Sequence, residues 1–119
     1  MTATGPRVPG SDARLRRGAD VRRVIREGRR MPGKRMVLYV LPGEGQVRAG
    51  FVSGRRVGGA VVRNRARRRM KEAWRVLSPP TAGGFDVVFV ARPDIRRSTF
   101  PEVLSDMRRV LAGAGMTAP

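Results

Sequence analysis

Apolar positions along this chain keep a helical period in some stretches and form continuous runs in others. Val21, Val24 and Ile25 stand at i, i+3 and i+4 with Arg22, Arg23 and Arg26 between them. That spacing predicts a short helix over Gly18–Glu27, with Gly28 as its stop. The run Arg35–Leu41, bounded by Pro32-Gly33 and Pro42-Gly43, reads as a strand. Val47–Ser53 reads as a second strand after the turn residues Gly43-Glu44-Gly45, so the two are expected to form a hairpin. Asp86–Ala91 is a third strand, entered after Gly83-Gly84 and left before Pro93.

The longest periodic segment runs from about Ala60 to Leu77. Val62, Ala66, Met70, Ala73 and Leu77 recur at spacings of 4, 4, 3 and 4, on one side of a helical wheel. Asn64, Arg68, Lys71 and Arg75 fall opposite. Arg65 and Arg69 flank the stripe on one edge, and Arg63, Arg67 and Trp74 on the other. Pro79-Pro80 close this helix. A last helix begins near Thr99, where Thr99 and Glu102 have capping-box spacing; Val103, Met107, Val110 and Leu111 are its apolar stripe, and Gly113 is its expected stop.

The order is α-β-β, a basic connection, then α-β-α. Few strands and helices of unequal character predict an α+β sandwich, with the helices packed on one small sheet. At 119 residues the chain makes one domain, placed at 14–114. Residues 1–13, rich in Gly, Pro, Ser and Thr, and the short segment 115–119 read as flexible tails.

Charge changes this picture most. The chain carries +17 with a pI near 12.0. Such an excess fits nucleic acid or an anionic membrane as partner. No apolar run is long enough to span a bilayer, and the one-signed basic helix points to nucleic acid, with no membrane expected as partner. Of the 26 basic residues only Lys34 and Lys71 are lysines. GC-rich coding would give that ratio, but not the net charge. Arginine forks also bind phosphate bidentately and stack on bases.

The segment Arg55–Arg75 concentrates the excess, with nine cations against one acid, Glu72. A face that is only solvated usually mixes signs. Arginines three and four apart share a helix face and can follow a phosphate backbone. Gly58-Gly59 let a phosphate approach the free N–H groups at the helix start. Arg55-Arg56 follow the second strand. Arg16-Arg17, Arg22-Arg23 and Arg29-Arg30 lie near the first helix and either line a second basic surface or serve as solubilising charge. Tyr39 shares a sheet face with Val37 and Leu41; it either stacks on an unpaired base or packs under a helix. Trp74, near the end of the basic helix, reads as a core anchor rather than a stacking platform.

Catalytic chemistry is hard to find. There is no Cys and no His, so thiolate metal sites, disulfides and the commonest general base are absent. The nine acids show no metal-ligand or acid/base spacing, and Ser53 has no His partner. There is no phosphate-cradling Gly-rich loop ending in Lys-Ser or Lys-Thr. A self-sufficient nuclease is a poor reading. The N-terminal residues lack the apolar core of a signal peptide, which leads to the expectation of a cytoplasmic protein.

The string Val57-Gly58-Gly59-Ala60-Val61-Val62-Arg63-Asn64-Arg65, continuing to Ala73-Trp74-Arg75, resembles the signature of the bacterial ribonuclease P protein subunit. Leu15-Arg16-Arg17 with Val24 and Gly28, Val37–Leu41, and Gly84–Val88 with Ala91-Arg92-Pro93 resemble that family in the same order. The resemblance spans about Leu15 to Gly115. It implies a left-handed crossover, against the common rule. It also implies a ribonucleoprotein endonuclease that removes the 5′ leader of precursor tRNA. The catalytic centre would lie in an RNA subunit that holds Mg2+. The implied protein is monomeric, in a one-to-one complex with that RNA.

Carried over by the resemblance, the residues that contact the catalytic RNA are Arg55, Arg56, Arg63, Asn64, Arg65, Arg67, Arg68, Lys71 and Arg75. Tyr39, Val21, Ile25 and Arg17 would bind the single-stranded leader. The chain departs from the family pattern at Val21 and Ile25, where aromatics are usual, so leader contact is expected to rest more on Tyr39 and nearby arginines. It also departs at Gly59, where a polar residue is usual, and at Gly54, where Ser is usual. The cationic helix alone equally allows a non-enzymatic structured-RNA-binding protein of ribosomal or assembly type.

Overall fold

The computed structural model describes residues 18–43, 45–77 and 84–116. Helix α1 (Gly18–Glu27) leads into strands β1 (Arg29–Pro32), β2 (Met36–Pro42) and β3 (Arg48–Val52). Helix α2 (Ala60–Leu77), strand β4 (Phe85–Ala91), a 3-10 turn (Pro93–Arg97) and helix α3 (Phe100–Gly113) follow. The two periodic helices begin and end where the apolar spacing places them. Thr99 caps α3 as its spacing predicts: its side chain accepts from the Glu102 N–H, and Glu102 accepts from the Thr99 N–H.

The sheet differs from expectation in two ways. Its strand order is β1-β2-β4-β3, so β2 and β3 are not a hairpin. β4 lies between them, antiparallel to β2 and parallel to β3. The hairpin is made instead by β1 and β2, through the turn after Pro32 in which the Gly33 N–H donates to the Met36 carbonyl at 2.8 Å. β4 takes the centre because it is apolar on both faces. Val87 and Phe89 on one side and Val88 on the other are fully buried, a demand that an edge position cannot meet. The Gly43–Gly45 segment receives the entry of β4: the Gly43 N–H donates to the Gly84 carbonyl at 2.7 Å. Gly84 has φ +64, and a Cβ there would lie 2.7 Å from the Gly43 carbonyl oxygen, so only glycine fits.

The connection β3–α2–β4 is the crossover that the parallel pair requires. α2 and α3 pack on one face of the sheet and α1 on the other. Alternation along the strands assigns the side chains. Met36, Leu38, Val40, Ala49, Val87 and Phe89 face α2 and α3. Tyr39, Leu41, Val52, Val88 and Val90 face α1.

Trp74 is the anchor of α2, as its position suggests, being 1 % exposed. Its ring meets Phe89 edge-on at 5.7 Å, and Phe89 stacks on Phe51 at 5.7 Å. Such pairs contribute about 0.5–1.5 kcal/mol beyond their burial. The basic helix is thereby held to the two parallel strands. On α3, buried Asp106 accepts from the Arg35 N–H at 2.9 Å and ties the β1–β2 turn to that helix.

α3 ends at Gly113, as its sequence suggests, and a closing turn follows it. In that turn the Gly115 N–H donates to the Ala112 carbonyl and the Met116 N–H to the Leu111 carbonyl. Gly115 and buried Met116, read from sequence as the start of a tail, belong to this closing turn. The expected N-terminal tail, Arg17, Pro79-Pro80, Gly83 and the last three residues lie outside the described residues.

Candidate nucleic-acid interface

Two surfaces gather the candidate residues. The first is built on α2 and the loop before it. Val57 is buried and pins that loop, whose turns are closed by the Val57 N–H to the Gly54 carbonyl and the Gly58 N–H to the Arg55 carbonyl. Arg55 and Arg56 are therefore displayed outward, beside the helix start. Gly58, at φ +152, lets the loop press on Val62, whose methyl lies 3.0 Å from where a Cβ would stand. The Gly59 carbonyl accepts from the Arg63 N–H at 2.9 Å, which makes Gly59 the helix cap. It brings no side chain to satisfy the N–H groups of the first turn, and the space beside its Cα is open to 4 Å.

Along α2 the buried stripe is Ala66, Met70, Ala73 and Trp74. Arg65 and Arg68 project on the exposed side, Arg63 is half-buried, and the side chains of all three lack hydrogen bonds or ion pairs with the described residues. Val61, 70 % exposed, stands on the same line one turn before Arg65. Three other candidates are engaged. The Asn64 carbonyl oxygen accepts from Arg67, so Asn64 fixes its neighbour one turn on and leaves its amide N–H group outward. Arg75 lies 3.5 Å from Glu72, both half-exposed. Lys71 is half-buried.

The second surface is the α1 side of the sheet. Val21, Ile25 and Tyr39 come together there around buried Val24 and Val88, with Leu41, Val52 and Val90. The two readings of Tyr39 combine: its ring packs beside α1 and stays partly exposed. Arg30 pairs with Tyr39 across the β1–β2 ladder and is exposed, so it stands beside the tyrosine. Its neighbour Arg29 points to the other face and donates to the Ala114 carbonyl at 3.0 Å. The Arg29-Arg30 pair is thus split between structure and surface. Farther along this face Arg48 grips Asp86 with two hydrogen bonds of 2.9 and 2.8 Å. The bond to Asp86 raises the Arg48 pKa above its ordinary value, against the lowering effect of burial.

Sequence spacing gave no sign of Arg30 as a neighbour of Tyr39, because β1 was not legible. It also missed Arg96, which the 3-10 turn brings against α2 beside Arg65 and Arg69. Among the described residues no group of three or more His, Cys, Asp or Glu could hold a metal ion. Among them, no helix is long and apolar enough to cross a membrane.

Comparisons with known proteins agree with one another. The family model described as Ribonuclease P matches residues 10–115. The chain is 45 % identical over 103 residues to the ribonuclease P protein component of Chloroflexus aggregans, covering 85 % of this chain and 76 % of that one. It is 42 % identical over 105 residues to that of Roseiflexus castenholzii, covering 87 % and 86 %. The solved RNase P protein of Thermotoga maritima superposes with a TM-score of 0.73 at 27 % identity, over 82 % of this chain and 94 % of the other. That of Staphylococcus aureus superposes at 0.79 with 21 % identity, over 91 % and 100 %, a likeness of fold. The family match covers most of the chain and sets aside the ribosomal or assembly-type alternative: the chain belongs to the ribonuclease P protein family.

Proposed function

We propose that this chain is the protein component of a ribonuclease P and works with two separate surfaces. The α2 surface holds the catalytic RNA. The α1 side of the sheet holds the 5′ leader of precursor tRNA. Together they assist removal of the leader to give the mature tRNA 5′ end. The observation that carries the first assignment is the exposed line on α2, where the side chains of Arg65 and Arg68, with Arg63 beside them, lack partners among the described residues. Guanidinium groups left unpaired on a chain of net charge +17 invite phosphates. The second assignment rests on Tyr39, Val21 and Ile25, a half-exposed apolar patch with Arg30 at its edge. Such a patch suits unstacked bases, with an arginine for the backbone.

In this reading the protein supplies no catalytic group. It neutralises phosphates and positions the leader, and the reaction centre belongs to the RNA subunit. Mg2+ is assigned to the RNA; among the described residues no group of three or more His, Cys, Asp or Glu could hold it. One protein acts per RNA, as a monomer, in the cytoplasm.

The test is cleavage of a precursor tRNA by the cognate RNA at low Mg2+, with and without the protein. The proposal expects strong rescue of correctly placed 5′ cleavage. Tight RNA binding without rescue contradicts it.

A further inference from the structure

We propose that the shallow groove between α2 and the 3-10 turn seats one backbone phosphate of the partner RNA, held by Arg65 and Arg96. The inference rests on the reading of α2 as the RNA-binding helix and extends that surface onto a second element. The groove has a volume of about 100 Å3 and is lined by Val62, Arg65, Ala66, Arg69, Ile95 and Arg96. Pockets for organic ligands usually enclose about 300 Å3 or more. This one has room for a single small group.

Its lining is cationic, without an acid. Half of the lining residues are arginines. Arg69 is committed to structure: its Nη1 donates to the Ser98 carbonyl and clamps the end of the 3-10 turn to α2. Arg65 and Arg96 are exposed, and their side chains have no hydrogen bond or ion pair among the described residues. Beneath them Ala66 and Ile95 are 4 % and 2 % exposed. A one-signed cleft with apolar walls focuses its potential and concentrates the opposite ion. An RNA phosphate is the anion that the neighbouring line of arginines already implies.

Arg96 is also well placed in advance. The 3-10 turn opens on Pro93 and is closed by the Ile95 N–H to the Arg92 carbonyl and the Ser98 N–H to the Ile95 carbonyl. The Ser98 hydroxyl donates to the Asp94 carbonyl and accepts from Arg35 Nε at 2.6 Å. A guanidinium carried on so tied a turn loses less backbone freedom on binding than one on a loose loop.

The experiment is a salt titration of full-chain binding to the ribonuclease P RNA. Each phosphate contact contributes a slope of about 0.7–0.9 in log affinity against log salt. Arg96→Ala is expected to reduce the slope by about that amount, as Arg65→Ala does. Arg109→Ala removes the same charge from the exposed face of α3 and is expected to leave the slope unchanged. Arg96→Lys should keep the slope and lose part of the affinity, since an ammonium lacks the planar fork. Circular dichroism checks that each variant folds. If Arg96→Ala behaves as Arg109→Ala while Arg65→Ala loses a contact, the groove proposal falls and the reading of α2 stands. If Arg65→Ala also keeps the full slope, the reading of α2 falls with it.

Discussion

The two surfaces treat arginine in opposite ways. On α2, the Arg65 and Arg68 side chains stand in solvent without a partner among the described residues, and their repulsion is left for a ligand to relieve. On the α1 side of the sheet, Arg48 is neutralised by a bidentate carboxylate, and Arg23 and Arg26 both reach Glu27. What that side offers is apolar area: Val21, Ile25, Tyr39, Leu41, Val52 and Val90, all part-buried. Unpaired charge binds any phosphate. A partly exposed ring and aliphatic groups, with Arg30 as a free cation at their edge among the described residues, favour bases that are unstacked. In the proposed reading, this difference lets one small protein hold a folded RNA on one surface and a single strand on the other.

The comparison is broken most severely from the core. Trp74 joins α2 to β3 and β4 through Phe51 and Phe89, so both surfaces hang on it. Trp74→Ala should cost about 3–5 kcal/mol in denaturant unfolding. That is a large share of a stability of about 5–15 kcal/mol. Both RNA and leader binding should fall together. Arg65→Ala should act on one surface alone. It is expected to weaken binding to the catalytic RNA by roughly tenfold, about 1.5 kcal/mol for a hydrogen bond to a charged group. Its melting curve should match wild type, and unchanged binding at physiological salt would remove Arg65 from the interface. Tyr39→Ala should act on the other surface. Loss of one stacked base costs about 1–3 kcal/mol, and it should appear for precursor tRNA and not for mature tRNA. Equal losses for both would take Tyr39 out of the leader site.

The helices of both surfaces were legible, and the sheet that joins them was only partly so. α1 and α2 announce themselves because a stripe at 3.6-residue spacing, interrupted by arginines, fits no strand. The Arg63-Asn64-Arg65 helix carried the family resemblance with it. β1 was missed because Arg29-Arg30-Met31-Pro32 has four residues, one of them proline, and almost no burial. That is the make-up of an edge strand, which is written in polar residues and resembles a loop. The false hairpin came from a sound local signal at Gly43–Gly45. Strand neighbours are decided by which strand needs burial on both faces, and here β4, far along the chain, outbids β3. Arg30 beside Tyr39 and Arg96 beside Arg65 follow from those pairings and from tertiary packing, so no spacing rule could reach them.

The smallest expected effect touches neither surface. Thr99→Ala removes the capping box of α3 and should lower stability by about 1 kcal/mol, with both binding activities kept. The backbone N–H of Thr99 holds the Glu102 carboxyl below its ordinary pKa. Its contribution is therefore present above the ordinary carboxylate range and is lost as pH falls through the lowered folded value. Stability measured down an acid series should show this loss in wild type and not in Glu102→Gln, which keeps the cap without the charge.

The separation of the two surfaces is tested most directly by one measurement. Holoenzymes assembled at saturating protein with wild type, Arg65→Ala or Tyr39→Ala are titrated with precursor tRNAs of increasing leader length. The account predicts that affinity climbs with leader length for wild type and for Arg65→Ala, and that the climb flattens for Tyr39→Ala. A climb preserved in Tyr39→Ala, or lost in Arg65→Ala, would contradict it.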